Sequence, residues 1–125
     1  MTPTFLVVDD SKSSRRLNIA YLQDLLDAKA NCLEAAGGAE ALTLLAAQSV
    51  DVVLLDLTMP GMSGFDVLAE MRRLNLTPPV IVISADIQRL TRERVAALGA
   101  VGFIEKPVRP EALHAMLTKL GVVHE

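Results

Sequence analysis

Four short apolar runs along the chain each end on a chemically active residue. Phe5-Leu6-Val7-Val8 runs into Asp9-Asp10, and Val52-Val53-Leu54-Leu55 into Asp56. Val80-Ile81-Val82-Ile83 runs into Ser84, and Phe103-Ile104-Glu105 into Lys106-Pro107. Unbroken aliphatic runs of this length predict strands buried on both faces, as in parallel sheets. Asn31 to Ala36 is a weaker fifth strand. Between the runs the spacing turns helical. Ser11 to Ala28 places Leu17, Tyr21, Leu22, Leu25 and Leu26 on one side of a helix. Ala39 to Gln48 is rich in Ala and Leu, both strong helix formers. Asp66 to Leu74 repeats the spacing through Val67, Leu68 and Met71. Ile87 to Leu98 follows, with Gly99 where a C-terminal cap belongs. Pro110 opens a last helix with Leu113, Leu117 and Leu120 inward. Gly37-Gly38, the loop Met59 to Gly64 and Pro78-Pro79 punctuate the pattern.

Strand and helix thus alternate five times, which predicts an α/β domain: a parallel sheet with helices on both faces. Right-handed crossovers leave few topologies for such a chain. Ligands of open parallel sheets bind at the C-terminal strand edge. The polar ends of the runs would meet at that edge.

Composition narrows the picture. The 125 residues fit one domain, residues 1–125, and 51% of them are hydrophobic, enough for one core. Only 3% are aromatic, so aliphatic side chains must fill it. A net charge of −3 argues against direct nucleic-acid binding, which usually needs a basic stripe. The single Cys32 cannot form an internal disulfide and fits a reducing compartment. Residues 1–4 are too short for a signal sequence, and no apolar stretch approaches the roughly 20 residues of a membrane span. A cytoplasmic domain without membrane insertion is the expectation.

The chemistry follows from the strand ends. Asp9, Asp10 and Asp56 brought together repel one another, and a divalent cation would relieve that repulsion. Mg²⁺ takes oxygen ligands, often one or two carboxylates together with a phosphate, and a backbone carbonyl just past Asp56 could complete the set. Aspartate can attack phosphorus to form an acyl phosphate, and Asp56 stands alone at the end of the most apolar run, which predicts a central strand. Lys106 could neutralise phosphate oxygens and Ser84 could donate a hydrogen bond to one. Taken singly, each of these residues could be a helix cap, a turn residue or a solvated side chain.

Over essentially its whole length the chain resembles the receiver domain of two-component response regulators. The matching residues are Asp9-Asp10, then Asp56 in Asp56-Leu57-Thr58-Met59-Pro60-Gly61-Met62-Ser63-Gly64, then Ser84-Ala85 and Lys106-Pro107. The resemblance implies a flavodoxin-like fold with strand order 2-1-3-4-5. It implies that Asp56 accepts a phosphoryl group from a sensor histidine kinase or a phosphotransfer protein. Asp10, Asp56 and the Thr58 backbone carbonyl would ligate Mg²⁺, with Mn²⁺ as a substitute, and Asp9 would act mainly through a bound water. Ser84 and Lys106 would contact the phosphoryl oxygens, and the Lys106-Pro107 bond would be cis. Ser84 and Phe103 would be the switch residues. Phe103 stands where the family often has tyrosine, so a phenolic hydroxyl plays no part. Helix 4, strand 5 and helix 5 would form the face for a downstream protein target, and a phosphatase is a further partner. Thr58, where many relatives carry asparagine, and Asp86 would tune the lifetime of the acyl phosphate.

Three functions compete. The chain begins just before the first strand, and only Gly121 to Glu125 follow the fifth helix. The leading expectation is therefore a stand-alone, chemotaxis-type switch that is not a turnover enzyme. The second is a receiver cut from a longer regulator, such as a DNA-binding transcription factor. The third, a Mg²⁺-dependent aspartyl-phosphate phosphohydrolase, is disfavoured by Thr rather than Asp at position 58 and by the lack of a cap-sized insertion. Arg15-Arg16 and Arg89, Arg92 and Arg94 read as solvated helix faces. Met59, Met62 and Met71 read as packing residues. His114 and His124 have no metal-ligand spacing and receive no role.

Overall fold

A computed structural model describes residues 2–123. The elements in chain order are β1 (Thr4–Val8), α1 (Lys12–Leu25), β2 (Asn31–Ala35), α2 (Gly38–Ala47), β3 (Val52–Asp56), α3 (Gly64–Arg73), β4 (Val80–Ser84), α4 (Arg89–Ala97), β5 (Gly102–Glu105) and α5 (Pro110–Lys119). The strands form one sheet in the order β2-β1-β3-β4-β5, and every pairing is parallel. The expected flavodoxin-like α/β fold is the observed one.

Burial explains the order. All residues of β3 and β4 are buried, as befits inner strands covered on both faces. The edge strands β2 and β5 each bury only one residue, Ala35 and Ile104. Alternate side chains of each strand enter opposite layers. Leu6, Val8, Val53, Leu55 and Val82 pack against Ala41 and Leu45 of α2, Val67, Leu68 and Met71 of α3, and Val95 of α4. Phe5, Val7, Val52, Leu54, Ile81 and Ile83 pack against Leu22 of α1 and Leu113 and Leu117 of α5. Two aliphatic layers therefore hold the sheet, with α1 and α5 on one face and α2, α3 and α4 on the other.

Several details differ from the sequence expectation. Leu17 is 49% exposed rather than inward. At 100° per residue it lies about 140° around the helix from buried Leu22. Asn18 is buried on the inward face instead. The α1 helix stops at Leu25 because Asp27 and Ala28 adopt φ of 53° and 62°. The α3 helix starts two residues early, at Gly64. Ser63 caps it, and Asp66 bonds back to the Ser63 N–H in a capping box. The α4 helix starts two residues late, at Arg89, and leaves Ile87 exposed. Gly99 does follow the α4 C-cap, in a left-handed conformation at φ 101°. His124 lies outside the described residues.

Candidate phosphoryl and cation site

The register sets the strand ends side by side. Val8 pairs with Leu55, so Asp9 and Asp56 leave adjacent strands at one level. Asp56 pairs with Ile83, and Ser84 with Glu105, which brings Ser84 and Lys106 to the same edge. The Lys106 N–H donates to the Ser84 carbonyl at 2.9 Å and continues the β4–β5 ladder to the site. The Lys106-Pro107 bond is cis.

One carboxylate oxygen from each of Asp9, Asp10 and Asp56 lies within 4.8 Å of the others. Asp9 and Asp56 are buried, at 2% and 5% exposure, and Asp10 is exposed. The Lys106 ammonium lies 3.3 Å from Asp9 Oδ2 and 3.3 Å from Asp56 Oδ1. The Ser11 N–H donates to Asp9 Oδ1 at 2.9 Å. The Thr58 N–H reaches Asp56 Oδ1 at 3.4 Å. Burial raises the Asp56 carboxyl above the ordinary aspartate pKa, and the Asp9 charge adds to this; Lys106 and the Thr58 amide oppose it without cancelling it. Burial disfavours the Lys106 charge, but Asp56 and Asp9 outweigh it and hold the ammonium above its usual pKa.

The donor set fits a small hard cation. Its side-chain donors are carboxylate oxygens, two on buried side chains and one on an exposed one, so waters could fill the remaining positions. Charge repulsion within the group is the quantity such an ion would lower.

Ser84 is 1% exposed, and its Oγ accepts from the Asp86 N–H at 3.0 Å. That leaves the hydroxyl proton to donate. Asp86 is exposed, and its carboxylate is engaged by α4: Oδ1 accepts from the Gln88 N–H at 3.0 Å and Oδ2 from Thr91 Oγ1 at 2.8 Å. These bonds lower its pKa, the Gln88 amide most. Asp86 thus ties the loop before α4 to the first turn of that helix, while Gln88 holds the N-cap position. Thr58 is exposed at the mouth of the site. Phe103 is half-buried against the α2–α3–α4 layer, and the Arg92 guanidinium lies 4.6 Å from its ring centroid.

Gly64 shapes the site from below. Its N–H donates to the Leu57 carbonyl at 3.0 Å. A Cβ there would meet the Asp56 carbonyl oxygen at 2.5 Å and the Leu57 Cα at 2.8 Å. Only glycine lets the start of α3 pass this close to the Asp56 backbone.

Arg15 is not the solvated side chain that its place on an amphipathic helix suggests: it is 12% exposed, with Nε 3.0 Å from Glu34 Oε1 and Nη1 2.7 Å from the Asp9 carbonyl oxygen. Arg94 also differs from a free surface charge, for its guanidinium lies 3.9 Å from the Phe65 ring centroid. The only sequence signal for Arg15 is a position one helical turn beyond Ser11, on the side facing β2.

A carboxylate cluster, a lysine and a hydroxyl at the C-terminal edge of a 2-1-3-4-5 parallel sheet define a CheY-like signalling module. The chain matches the response regulator receiver domain over residues 5–118 and belongs to that family. Among curated proteins it is 35% identical to the sensor histidine kinase RcsC of Salmonella typhi, over 90% of this chain and 12% of that protein. It is 33% identical to the autoinducer 1 sensor kinase/phosphatase LuxN of Vibrio harveyi, over 93% of this chain and 13% of that protein. The chain therefore spans about an eighth of the length of these relatives. Among solved structures, the chemotaxis protein CheY4 of Vibrio cholerae superposes with a TM-score of 0.86 at 30% identity, covering 96% of this chain and 99% of that one. A response regulator receiver protein from Pseudomonas putida gives 0.83 at 32% identity, covering 95% and 98%.

Proposed function

We propose that the chain is a phosphoacceptor switch of a two-component system, with Asp56 as the acceptor. The observation that carries this is the buried Asp56 carboxylate, 3.3 Å from the Lys106 ammonium and grouped with Asp9 and Asp10. An Asp56 oxygen attacks the phosphorus of a phosphohistidine on a sensor kinase or phosphotransfer protein. The P–N bond breaks, its electron pair stays on the imidazole, which takes up a proton, and the new P–O bond makes an acyl phosphate. Lys106 moves from its bridging position to the phosphoryl oxygens, and Ser84 donates its free hydroxyl proton to one of them. Asp10, Asp56 and the Thr58 carbonyl would hold Mg²⁺, or Mn²⁺ in its place, with Asp9 acting through a water. The bound ion supplies charge neutralisation for the transferring group.

Hydrolysis reverses the modification when water attacks phosphorus and the carboxylate leaves. Thr58, exposed at the mouth, and Asp86, tied to Ser84 through its own amide, are the positions proposed to set that rate; a phosphatase would accelerate it. Ser84 would donate to the phosphoryl group while its oxygen still accepts from the Asp86 N–H, and so links the site to the segment that leads into α4. Phe103 and the α4–β5–α5 face would carry the output to a protein target. Among the described residues no helix is long and apolar enough to cross a membrane, which accords with a cytoplasmic module.

A second reading concerns context. The chain covers only 12–13% of the sensor kinases that it resembles, so the same switch can serve as one module, residues 1–125, of a larger protein. The chemistry is common to both readings. Phosphoramidate, whose P–N bond mimics phosphohistidine, provides the test. Wild-type protein with Mg²⁺ should take up one phosphoryl group, and Asp56→Asn or a chelator should abolish uptake. Equal uptake by Asp56→Asn would refute the assignment.

A further inference from the structure

We propose that Arg15 is a positioning residue for the cation site, acting through the Asp9–Asp10 peptide with Glu34 as its anchor. The proposal rests on the reading of Asp9, Asp10 and Asp56 as cation-binding groups.

Asp9 is the last residue before the chain turns from β1 into α1, and both of its backbone groups are held from outside that turn. Its N–H donates to the Ala35 carbonyl at 3.1 Å, extending the β1–β2 ladder by one rung. Its carbonyl accepts from Arg15 Nη1 at 2.7 Å. That carbonyl belongs to the peptide joining Asp9 to Asp10. The orientation of its plane sets ψ of Asp9 and φ of Asp10, and with them the relative placement of the two side chains.

Arg15 is itself held. Its Nε donates to Glu34 Oε1 at 3.0 Å, and Glu34 sits in β2 opposite Val7 of β1. One guanidinium therefore ties α1, the end of β1 and β2 together, with two donors of one planar fork on two acceptors. A lysine has a single point of charge and cannot reproduce both bonds with fixed geometry. Arg16 does not duplicate the arrangement, for it is exposed and its Nε is 3.8 Å from Glu34. Arg15 touches neither the proposed cation nor the phosphoryl group. Its effect passes through the peptide that carries two of the three carboxylates, as outer-sphere groups act on metal ligands generally.

The sign of the effect separates this role from simple charge. A positive side chain near a divalent site repels the ion, so its removal by Coulomb's law alone tightens binding. Loss of a positioning bond weakens it. Calorimetric titration of Mg²⁺ into the full chain, at a temperature where circular dichroism shows each variant folded, gives the answer. Arg15→Gln should weaken Mg²⁺ binding by about tenfold or more. Arg15→Lys, which keeps the charge, should also bind more weakly than wild type. Glu34→Gln leaves the guanidinium without its anchor and should shift in the same direction. The double variant should be no weaker than Arg15→Gln, since the two residues act on one path.

Unchanged or tighter binding by Arg15→Gln, or wild-type affinity in Arg15→Lys, would overturn the proposal. Should Arg15→Gln not fold, wild-type affinity in Glu34→Gln would overturn it. Failure of the wild-type chain to bind Mg²⁺ would instead remove the cation-site reading, and this inference with it.

Discussion

Lys106 Nζ stands 3.3 Å from Asp9 Oδ2 and 3.3 Å from Asp56 Oδ1, so one ammonium bridges two buried carboxylates from neighbouring strands. The side chain is 29% exposed, and the bridge is only partly shielded from water. Lys106→Met leaves the two carboxylates facing each other without a cation. In metal-free buffer it should lower stability by about 1–3 kcal/mol. Saturating Mg²⁺ should recover much of this loss, because the ion supplies the missing positive charge. Urea melts with chelator and with Mg²⁺ measure both effects.

Asp56 predicts a pH dependence. Its folded-state pKa is raised, chiefly by burial and then by Asp9. The folded state therefore binds this proton more tightly than the unfolded chain does. Stability linked to Asp56 is fully present below the unfolded value of 3.8 and is lost as pH rises through the folded value. Asp56→Asn should melt above wild type at neutral pH without metal, and the gap should close on acidification towards pH 3.8. Thermal melts across this range check it. A gap independent of pH would show that ionisation of Asp56 is not its origin.

Gly64 and Gly102 both lie under close neighbours, with different expected costs. A Cβ at Gly64 collides with backbone, the Asp56 carbonyl and the Leu57 Cα. Gly64→Ala should cost about 2–3 kcal/mol and impair phosphorylation as well, because it displaces Asp56. A Cβ at Gly102 meets only the end of the Met116 side chain, at 2.5 Å from its sulfur. Methionine yields readily, so Gly102→Ala should cost under about 1 kcal/mol. Denaturant melts of the two variants side by side make the comparison.

Asp86 holds the first turn of α4 through Gln88 and Thr91 and lies behind the Ser84 hydroxyl. Asp86→Ala should speed amide hydrogen exchange at the start of α4 and leave β3 protection unchanged. It should also change the decay rate of the acyl phosphate. Equal decay in wild type and Asp86→Ala would remove Asp86 from the lifetime-setting residues. Because its pKa is lowered, the contribution of Asp86 to α4 is present above the ordinary aspartate value and is lost as pH falls through the folded value.

The sheet and the site edge were legible because their signals are local. Val52 to Leu55 is an uninterrupted aliphatic run, and only an inner strand buries such a run completely. Asp56 and Ser84 follow their runs directly, so the strand ends determine their positions. Helix ends were less legible, since loop hydrogen bonds bear on them: the Gln88 N–H bonds back to Asp86 ahead of α4, and Ser63 with Asp66 advances α3. The inward face of α1 was misjudged at Leu17 because a polar residue, Asn18, takes the buried side. Arg15 was unreadable for a different reason. Its partners are Glu34, nineteen residues away, and a backbone oxygen, which leaves no mark in a sequence. Gly64 sat inside a recognised motif, but its close approach to the Asp56 carbonyl exists only once α3 is docked.

The central claim is that Asp56 carries the phosphoryl group. Borohydride reduces an aspartyl phosphate to homoserine and so records which aspartate was modified. The chain should be incubated with Mg²⁺ and acetyl phosphate, reduced, digested and sequenced by tandem mass spectrometry. Homoserine at position 56, with Asp9 and Asp10 intact, is the predicted result. Homoserine at position 9 or 10, or none at any aspartate in a sample that binds Mg²⁺, would contradict it.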